Sequence, residues 1–362
     1  MQSIEDYKIE RFTVTPVDFP VLAELIAESF LNEEITEEMG GTIQFDEQTF
    51  NIMFGSPIIS RDFFVRAIYK PTNEVVGFLG AIPRRLNMKG KIFNYVVPSW
   101  AAVHHKHRRK GLAFQMGVKL REIGIEKNVD GGFSIHEPEQ HGIDTSMAVA
   151  RETDLPIVKF ALIRQFIVRC FDVKRISNVV RLKWFEKLAF WLFQGVPRKK
   201  CPYVRPYHPN DGELMFQMMQ DHIERNEVSL VRDHDDFLWY LNQPGVNCVV
   251  YEKPKGVIKG FILAWKMNLA GFGKSIPFGW LDLVHIYRLN TKEAKDLAEY
   301  LCITSKERGW AGLQTPYIPY FESKPFKKAK FIFYAKKMSI DLFNLKKLEI
   351  PSNVSHFYFD WR

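Results

Sequence analysis

The chain has 362 residues, 46% of them hydrophobic and 25% charged, with a formal net charge of +8 at pH 7. This length and composition are typical of a globular protein with two domains, each able to bury its own core. The chain has no run of about eighteen uncharged apolar residues, so we expect no transmembrane helix. Its first residues lack an apolar core, so we expect no signal peptide. The scattered cysteines are Cys170, Cys201, Cys248 and Cys302, and they are expected to be the reduced cysteines of a cytoplasmic protein.

The positive charge is concentrated in one part of the chain. Residues 1–60 contain twelve acidic and two basic side chains, whereas residues 166–206 contain ten basic and two acidic ones. A nucleic-acid interface needs basic residues spread along a groove or a face. We therefore expect no nucleic-acid partner.

The first half alternates strand-like and helix-like segments. Strands are predicted where β-branched and aromatic residues cluster, and helices where apolar residues recur every three to four positions. In chain order the predicted elements are a strand at 8–14, a helix at 17–30, strands at 63–69, 75–82 and 93–103, a helix at 112–125, a strand at 132–136, a helix at 144–152 and a strand at 158–168.

The junction between the strand at 93–103 and the helix at 112–125 predicts an anion site. The unpaired amides of a first helical turn, together with the helix dipole, favour a negative ligand. Gly111 allows close approach of the backbone, and Arg108, Arg109 and Lys110 add positive charge. The spacing matches neither Gly-x-Gly-x-x-Gly nor Gly-x-x-x-x-Gly-Lys-Ser/Thr. A phosphate-bearing ligand held by another kind of loop is predicted.

The sequence Arg108-x-x-Gly111-x-Ala113, preceded by Val103-His104, resembles the signature of the GNAT superfamily of acyl-CoA-dependent N-acyltransferases. His105 replaces the proline of that signature. The resemblance implies acetyl-CoA as co-substrate without a metal, its pyrophosphate on the 109–114 turn and its pantetheine arm along a bulged strand. The implied cofactor-binding residues are Ala101, Ala102, Val103, Arg108, Arg109, Lys110, Gly111, Leu112, Ala113 and Phe114.

The groups that would handle protons are less well defined. Ala150 stands where many GNAT enzymes carry a tyrosine that protonates the leaving thiolate. Glu137, at the end of the strand at 132–136, is the candidate base, with His136, Glu139 and His141 nearby.

Glu33 and Glu34 follow the first predicted helix and are candidates for holding a cationic amine. The acidic bias of residues 1–60 favours this role, although an acidic helix surface explains the same pattern. The acceptor is expected to be a small-molecule or peptide amine.

The second half repeats the plan of the first. Residues 248–264 parallel residues 64–80, since both comprise a strand, a Lys-Pro turn and a strand entered through Gly-Phe. A strand at 280–287, a helix at 291–308 and strands at 312–315 and 331–338 follow, without a glycine at the turn before the helix. The predicted fold is a mixed α/β sheet with two GNAT-like domains in tandem. The predicted ranges are 1–168, a linker at 169–206, and a second domain without the cofactor loop at 207–362.

Residues 176–193 of the linker predict a helix with apolar residues on one side and Arg181, Lys183 and Lys187 between them. The favoured interpretation is an interdomain helix that buries its aromatic residues, so no membrane contact is expected. A basic amphipathic helix on an anionic membrane and an oligomer interface are the alternatives.

Val103-His-x-Lys-x-Arg-x-Lys-x-Leu-Ala113 also resembles the matching segment of N-myristoyltransferases, which are tandem GNAT proteins. In that family the terminal carboxylate acts as base. The sequence ends in Asp360-Trp361-Arg362 after an aromatic run, which predicts a buried end, although it lacks the leucine-rich ending of that family.

The function expected from these features is acetyl transfer from acetyl-CoA to a primary amine by direct attack in a ternary complex. The alternatives are a non-catalytic acyl-CoA-binding or interaction protein, and a longer-chain N-acyltransferase resembling N-myristoyltransferase. The identity of the amine, the acyl length and the oligomeric state stay open.

Overall fold

The computed structural model describes residues 3–136, 141–197, 201–254, 256–351 and 354–362. Within these residues, fifteen strands form one continuous mixed sheet, numbered here in chain order. The strands are β1 (Tyr7–Phe12), β2 (Thr42–Gln44), β3 (Phe64–Tyr69), β4 (Glu74–Met88), β5 (Lys91–Val103), β6 (Gly131–His136), β7 (Ile157–Cys170), β8 (Val204–Pro206), β9 (Val228–Val231), β10 (Val246–Lys253), β11 (Val257–Gly271), β12 (Lys274–His285), β13 (Gly312–Pro316), β14 (Ile332–Asn344) and β15 (Phe357–Tyr358).

Helices cover the faces of this sheet. They are α1 (Phe19–Leu31), α2 (Glu34–Met39), α3 (Glu47–Phe54), α4 (Leu112–Glu126), α5 (His141–Glu152), α6 (Val173–Ile176), α7 (Trp184–Phe193), α8 (Gly212–Arg225), α9 (His234–Leu241), α10 (Thr291–Glu307) and α11 (Ser323–Lys328). The predicted apolar stripe of α4 is confirmed, because Leu112, Met116, Leu120 and Ile123 are all buried. They pack with residues of β3, β4 and β5 in one apolar cluster.

The two halves of the chain share the sheet. Its main path runs β1-β3-β4-β5-β6-β14-β7-β13-β12-β11-β10-β8. β14 from the second half thus lies between β6 and β7 of the first half, and β7 pairs with both β14 and β13. The predicted mixed α/β class with two GNAT-like halves is confirmed. β7 runs across the predicted boundary at residue 168 without a break. The domain ranges 1–168, 169–206 and 207–362 stay a prediction.

The internal repeat is visible in the order of the elements. β3, β4, β5, α4 and β6 of the first half correspond to β10, β11, β12, α10 and β13 of the second. β5 runs parallel to β6, and β12 runs parallel to β13. Phe78 and Phe261, the phenylalanines of the two Gly-Phe pairs, are both completely buried.

The predicted continuous helix at 176–193 is wrong. α6 ends at Ile176, and α7 begins only at Trp184. Between them Val180 forms a β-bridge with Gly40, and the Arg181 amide donates to the Met39 carbonyl oxygen (2.8 Å). The chain is extended here because β-branched residues tolerate that conformation and the bridge satisfies their backbone groups.

The predicted burial of the linker aromatics is also wrong. No residue of α7 is buried, and Trp184 keeps 78% of its surface exposed. In the described part of the chain, no helix combines the length and the apolar character needed to cross a membrane.

Candidate functional site

The site begins where two parallel strands separate. β5 and β6 pair through Tyr95–Gly131 and Val96–Gly132. Beyond this point β6 continues along β14, pairing as far as His136 with Ser339. The edge of β5 over residues 97–103 is therefore open toward β6. An extended ligand can lie in such a gap and hydrogen-bond with the strand backbone.

β5 carries a bulge inside this gap. Phe78 of β4 lies opposite Ala102, but Gly80 lies opposite Ser99, so Leu79 faces both Trp100 and Ala101. Trp100 has a φ of 59°, in the left-handed region that a bulky residue rarely adopts. A bulge removes backbone groups from the ladder and turns them in a new direction. The bulge that the GNAT resemblance implies is present.

The anion turn lies directly after β5. Gly111 has a φ of 75° and precedes α4 without a side-chain cap on the helix. The Gln115 amide donates to the Gly111 carbonyl oxygen (3.0 Å), so the amides of Leu112, Ala113 and Phe114 precede the first intrahelical bond. A β-carbon on Gly111 would meet no atom within 4 Å. These amides can therefore bind an anion at the positive end of the helix dipole.

Arg108 is held by the protein itself. Its guanidinium donates to the carbonyl oxygen of Asn32 (2.7 Å) and to that of Ser29, at the C-terminal end of α1. Its Nε also lies 3.4 Å from the Val103 carbonyl oxygen. The side chain thus joins α1 to the signature loop.

Ser29 makes a second contact between the same elements, which the sequence analysis missed. Its hydroxyl donates to the Val103 carbonyl oxygen (3.2 Å) and accepts from the Val103 amide (3.3 Å). The available signal was a serine on the apolar face of the first helix, where Leu22, Leu25 and Ile26 are also buried.

Arg109 and Lys110 remain available to a ligand. Arg109 has a φ of 61°, and its side chain is 92% exposed. Glu34 lies 3.9 Å from Arg109 and is itself 91% exposed, and Glu33 immediately precedes α2. The two glutamates predicted to hold an amine therefore lie beside the anion turn.

Histidines anchor the start of the signature loop. The Tyr7 hydroxyl lies 2.9 Å from Nδ1 of buried His107, and burial lowers the pKa of this histidine. His105 Nδ1 contacts Oε1 of Glu28, and His104 Nε2 lies 4.0 Å from the same oxygen. Among the described residues, Glu28, His104 and His105 are the set that could hold a metal ion. His105 is exposed, and the carboxylate is already paired.

Of the candidate proton-handling residues, His136 is the one whose side chain the structure describes. His136 ends β6, and its Nε2 lies 2.8 Å from the Ser134 hydroxyl. Burial lowers the pKa of His136, which favours the neutral ring at pH 7. Glu137 and Glu139 lie outside the described residues, as does the side chain of His141.

Ala150 lies on α5 with only 2% of its surface exposed. A methyl group cannot donate a proton, so this chain lacks the thiolate acid that many GNAT enzymes place here.

The corresponding positions of the second half are closed. The Asn290 side chain accepts from the Lys292 and Glu293 amides (both 3.0 Å) and so caps α10. The hydroxyl of half-buried Tyr320 accepts from the Val284 amide of β12 (3.1 Å). Because its own side chains satisfy these backbone groups, the second half lacks the free helix N-terminus of the first.

The last described segment is buried against both halves. The Arg362 carbonyl oxygen accepts from Arg84 of β4 (2.6 Å), and the Trp361 amide donates to Asp282 of β12 (2.5 Å). Only 3% of Arg362 is exposed.

A buried charge cluster surrounds this segment. Asp236 accepts from Arg232 (3.3 Å) and from Arg362, while Arg232 also pairs with Asp360 (2.7 Å). Burial alone would raise the pKa of Asp236, but the guanidinium groups of Arg362 and Arg232 hold it below its usual range. Burial and the Asp360 charge raise the pKa of Asp282 to about 6.

Comparison with known proteins gives a consistent result. Glycylpeptide N-tetradecanoyltransferase of Drosophila melanogaster is 25% identical over 234 residues, which are 64% of this chain and 47% of that protein. This chain thus spans about half the length of the curated relative that it matches. No protein-family model matches the chain.

Solved structures show the same fold. N-myristoyltransferase of Saccharomyces cerevisiae, solved with bound myristoyl-CoA, superposes with a TM-score of 0.74 at 15% identity, covering 96% of this chain and 81% of that one. A GCN5-related N-acetyltransferase of Sphaerobacter thermophilus superposes with a TM-score of 0.54 at 11% identity, covering 98% of this chain and all of that one. The GNAT resemblance is confirmed at the level of fold, and so is the resemblance to N-myristoyltransferase.

Proposed function

We propose that the chain is an acyl-CoA-dependent N-acyltransferase that moves a long acyl chain, of about the length of myristoyl, to the N-terminal amine of a peptide. The observation that carries the proposal is the open gap between β5 and β6, with its bulge at Trp100–Ala101 leading directly into the Gly111 turn. A CoA thioester needs these features in this order: an extended backbone for its arm and an anion site for its pyrophosphate.

The comparisons support the long acyl chain. The N-myristoyltransferase, which superposes with a TM-score of 0.74, was solved with myristoyl-CoA, whereas the acetyltransferase superposes at 0.54. The curated relative is named for tetradecanoyl transfer to glycyl peptides. The longer-chain alternative therefore replaces acetyl transfer as our proposal, and a glycyl amine is the proposed acceptor.

The reaction follows from the chemistry of thioesters. The neutral amine attacks the thioester carbonyl carbon, a C–N bond forms, and the C–S bond breaks to release CoA thiolate. An α-amino group has a pKa of about 8 and is mostly protonated at pH 7, so the amine must lose a proton before attack and another as the amide forms. One proton neutralises the thiolate, and the other leaves to solvent.

Among the described residues, His136 is our candidate for accepting the amine proton. It ends the strand that flanks the gap, and its lowered pKa keeps the ring neutral at pH 7. Glu137 stays a prediction for the same role. Amide groups freed by the bulge at Trp100 and Ala101 would stabilise the oxyanion that develops on the thioester oxygen.

Thermal unfolding with free CoA, acetyl-CoA and myristoyl-CoA tests the proposal. A ligand at a hundred times its dissociation constant stabilises the folded state by about 2.7 kcal/mol. We expect all three to raise the melting temperature, with myristoyl-CoA giving the largest increase at equal concentration. An equal increase with acetyl-CoA would contradict the long chain, and no increase with any of them would contradict the CoA site.

A further inference from the structure

α7 presents an apolar face to solvent, which is unusual for a helix of a globular protein. Its exposed large side chains and their exposed fractions are Trp184 78%, Phe185 52%, Leu188 49%, Trp191 60%, Leu192 58% and Phe193 43%. At about 3.6 residues per turn, Trp184, Leu188 and Trp191 lie along one side of the helix, with Phe185 and Leu192 next to them. The outward side of the helix is therefore largely apolar.

The helix is fixed to the protein at both ends, so this exposure belongs to an ordered element. Buried Arg169 donates to the carbonyl oxygens of Phe193 and Gly195 (2.6 Å to the latter) at its C-terminal end. Just before the other end the Arg181 amide donates to the Met39 carbonyl oxygen (2.8 Å), and the Glu186 carboxylate caps the helix by accepting from the Lys183 amide (2.7 Å). Phe190, on the inward side, packs against the main apolar core.

Positive charge surrounds the apolar face. Lys174, Arg181, Lys183 and Lys187 are exposed around it, and Lys174 and Lys187 line the same groove between α6 and α7 as Trp184 and Trp191. Glu186 is the acidic residue of the helix, and it is engaged in capping the N-terminal end. Residues 166–206 as a whole contain ten basic and two acidic side chains.

We propose that α7 docks on the surface of an anionic lipid bilayer, with Trp184, Leu188 and Trp191 in the headgroup region and the lysines on lipid phosphates. Tryptophan and phenylalanine favour this interface, and each nearby cation adds attraction to anionic lipid. A second copy of the chain fits less well, because a twofold contact through this face would bring the two cationic rims together. The proposal does not rest on the proposed enzymatic function.

Co-sedimentation of the full chain with vesicles tests the proposal. One set is pure phosphatidylcholine and the other contains about 30% phosphatidylserine, both at about 0.1 M salt. We expect at least about tenfold stronger partitioning onto the anionic vesicles, and loss of it in the double variant Trp184→Gln/Trp191→Gln. Replacing Lys183 and Lys187 by Gln should weaken binding to the anionic vesicles.

A matched control removes apolar surface elsewhere. Val17, two residues before α1, and Val21, in its first turn, are 86% and 56% exposed, and Val17→Gln/Val21→Gln should sediment like the wild type. The proposal would be overturned if the wild-type protein stayed in the supernatant with the anionic vesicles. It would also be overturned if the double tryptophan variant still sedimented with them. A concentration-dependent dimer that the tryptophan variant loses, without vesicle binding by the wild type, would overturn it in favour of a second copy.

Discussion

The hydroxyl of Ser29 on α1 hydrogen-bonds with both backbone groups of Val103, the last residue of β5. It therefore fixes the end of the bulged strand against the helix, at the point where the strand leads into the anion turn. Together with Arg108, whose Nε lies 3.4 Å from the Val103 carbonyl oxygen, this side chain positions the strand edge proposed to bind the pantetheine arm.

Ser29→Ala should weaken acyl-CoA binding while the fold persists. Loss of the two hydrogen bonds should destabilise the protein by about 1 to 3 kcal/mol, because the Val103 amide and carbonyl oxygen each lose their bond to this hydroxyl. We expect a several-fold rise in the dissociation constant for CoA by titration calorimetry. Ser275→Ala, at an exposed serine of β12, is the control and should leave both quantities unchanged.

Gly111→Ala separates backbone strain from ligand binding when compared with Gly90→Ala. Both glycines have positive φ, 75° and 83°, and a β-carbon on either meets no atom within 4 Å. Each variant should therefore lose a similar stability, about 1 to 2 kcal/mol. Only Gly111→Ala should also weaken CoA binding. Equal CoA affinity in the two variants would show that the turn does not contact the ligand.

The three cations of the signature should divide into two roles. Arg108→Met should lower the melting temperature, because the carbonyl oxygens of Ser29 and Asn32 lose their donor. Arg109→Gln/Lys110→Gln should leave the melting temperature unchanged and weaken CoA binding by about five- to tenfold, as expected for charges that contact both solvent and a phosphate. If Arg108→Met weakened CoA binding at an unchanged melting temperature, the Arg108 guanidinium would contact the ligand instead.

Much of this loop could be predicted from the sequence, and the exceptions have physical reasons. β5, the turn at Gly111 and the apolar stripe of α4 follow from local patterns. Residues only a few positions apart determine such patterns. The bond from Arg108 to Asn32 joins positions 76 residues apart, and local periodicity contains no information about such a partner.

The same reason explains the wrong helix at 176–193 and the order of strands that the sequence did not predict. Residues 177–183 satisfy a helical pattern, but Val180 pairs with Gly40 and the Arg181 amide bonds to Met39, so distant contacts override the local preference. The insertion of β14 between β6 and β7 is likewise a matter of long-range pairing. The bulge at Trp100–Ala101 was implied only by the resemblance, because no residue type specifies it.

Asp236→Asn should destabilise the fold strongly. Asp236 is 1% exposed and neutralises Arg232 and Arg362, which are also buried. Breaking a buried ion pair from one side leaves an uncompensated charge and costs about 3 to 5 kcal/mol. Urea unfolding should show this loss, whereas Asp235→Asn, at an exposed neighbour with 72% of its side chain accessible, should change stability by less than about 1 kcal/mol.

Stability should fall as the pH drops from about 6.5 to about 4. Burial and the charge of Arg225 lower the pKa of His222 from 6.5 to about 4, so the unfolded chain binds a proton in this range that the folded chain does not. The stability is therefore complete above pH 6.5 and is lost on acidification, by an amount on the order of 3 kcal/mol.

His222→Phe should reduce this pH dependence, measured as the free energy of unfolding at several pH values. His234→Gln is the opposite case, because hydrogen bonds with Asp235 and Glu213 raise the pKa of His234. The stability contributed by His234 is present at low pH and lost as the pH rises through its raised pKa. If the free energy of unfolding of His222→Phe fell as steeply between pH 6.5 and 4 as that of the wild type, other groups would cause the acid destabilisation.

The most direct test of the account is acyl transfer itself. The protein is incubated with myristoyl-CoA and a peptide that begins with glycine, and the peptide mass and the free CoA thiol are measured together. We predict a peptide heavier by one myristoyl group, thiol released in equal amount, and no product from the same peptide with its amine acetylated. Tight binding of myristoyl-CoA without any acylated peptide would contradict the enzyme and leave a non-catalytic acyl-CoA-binding protein.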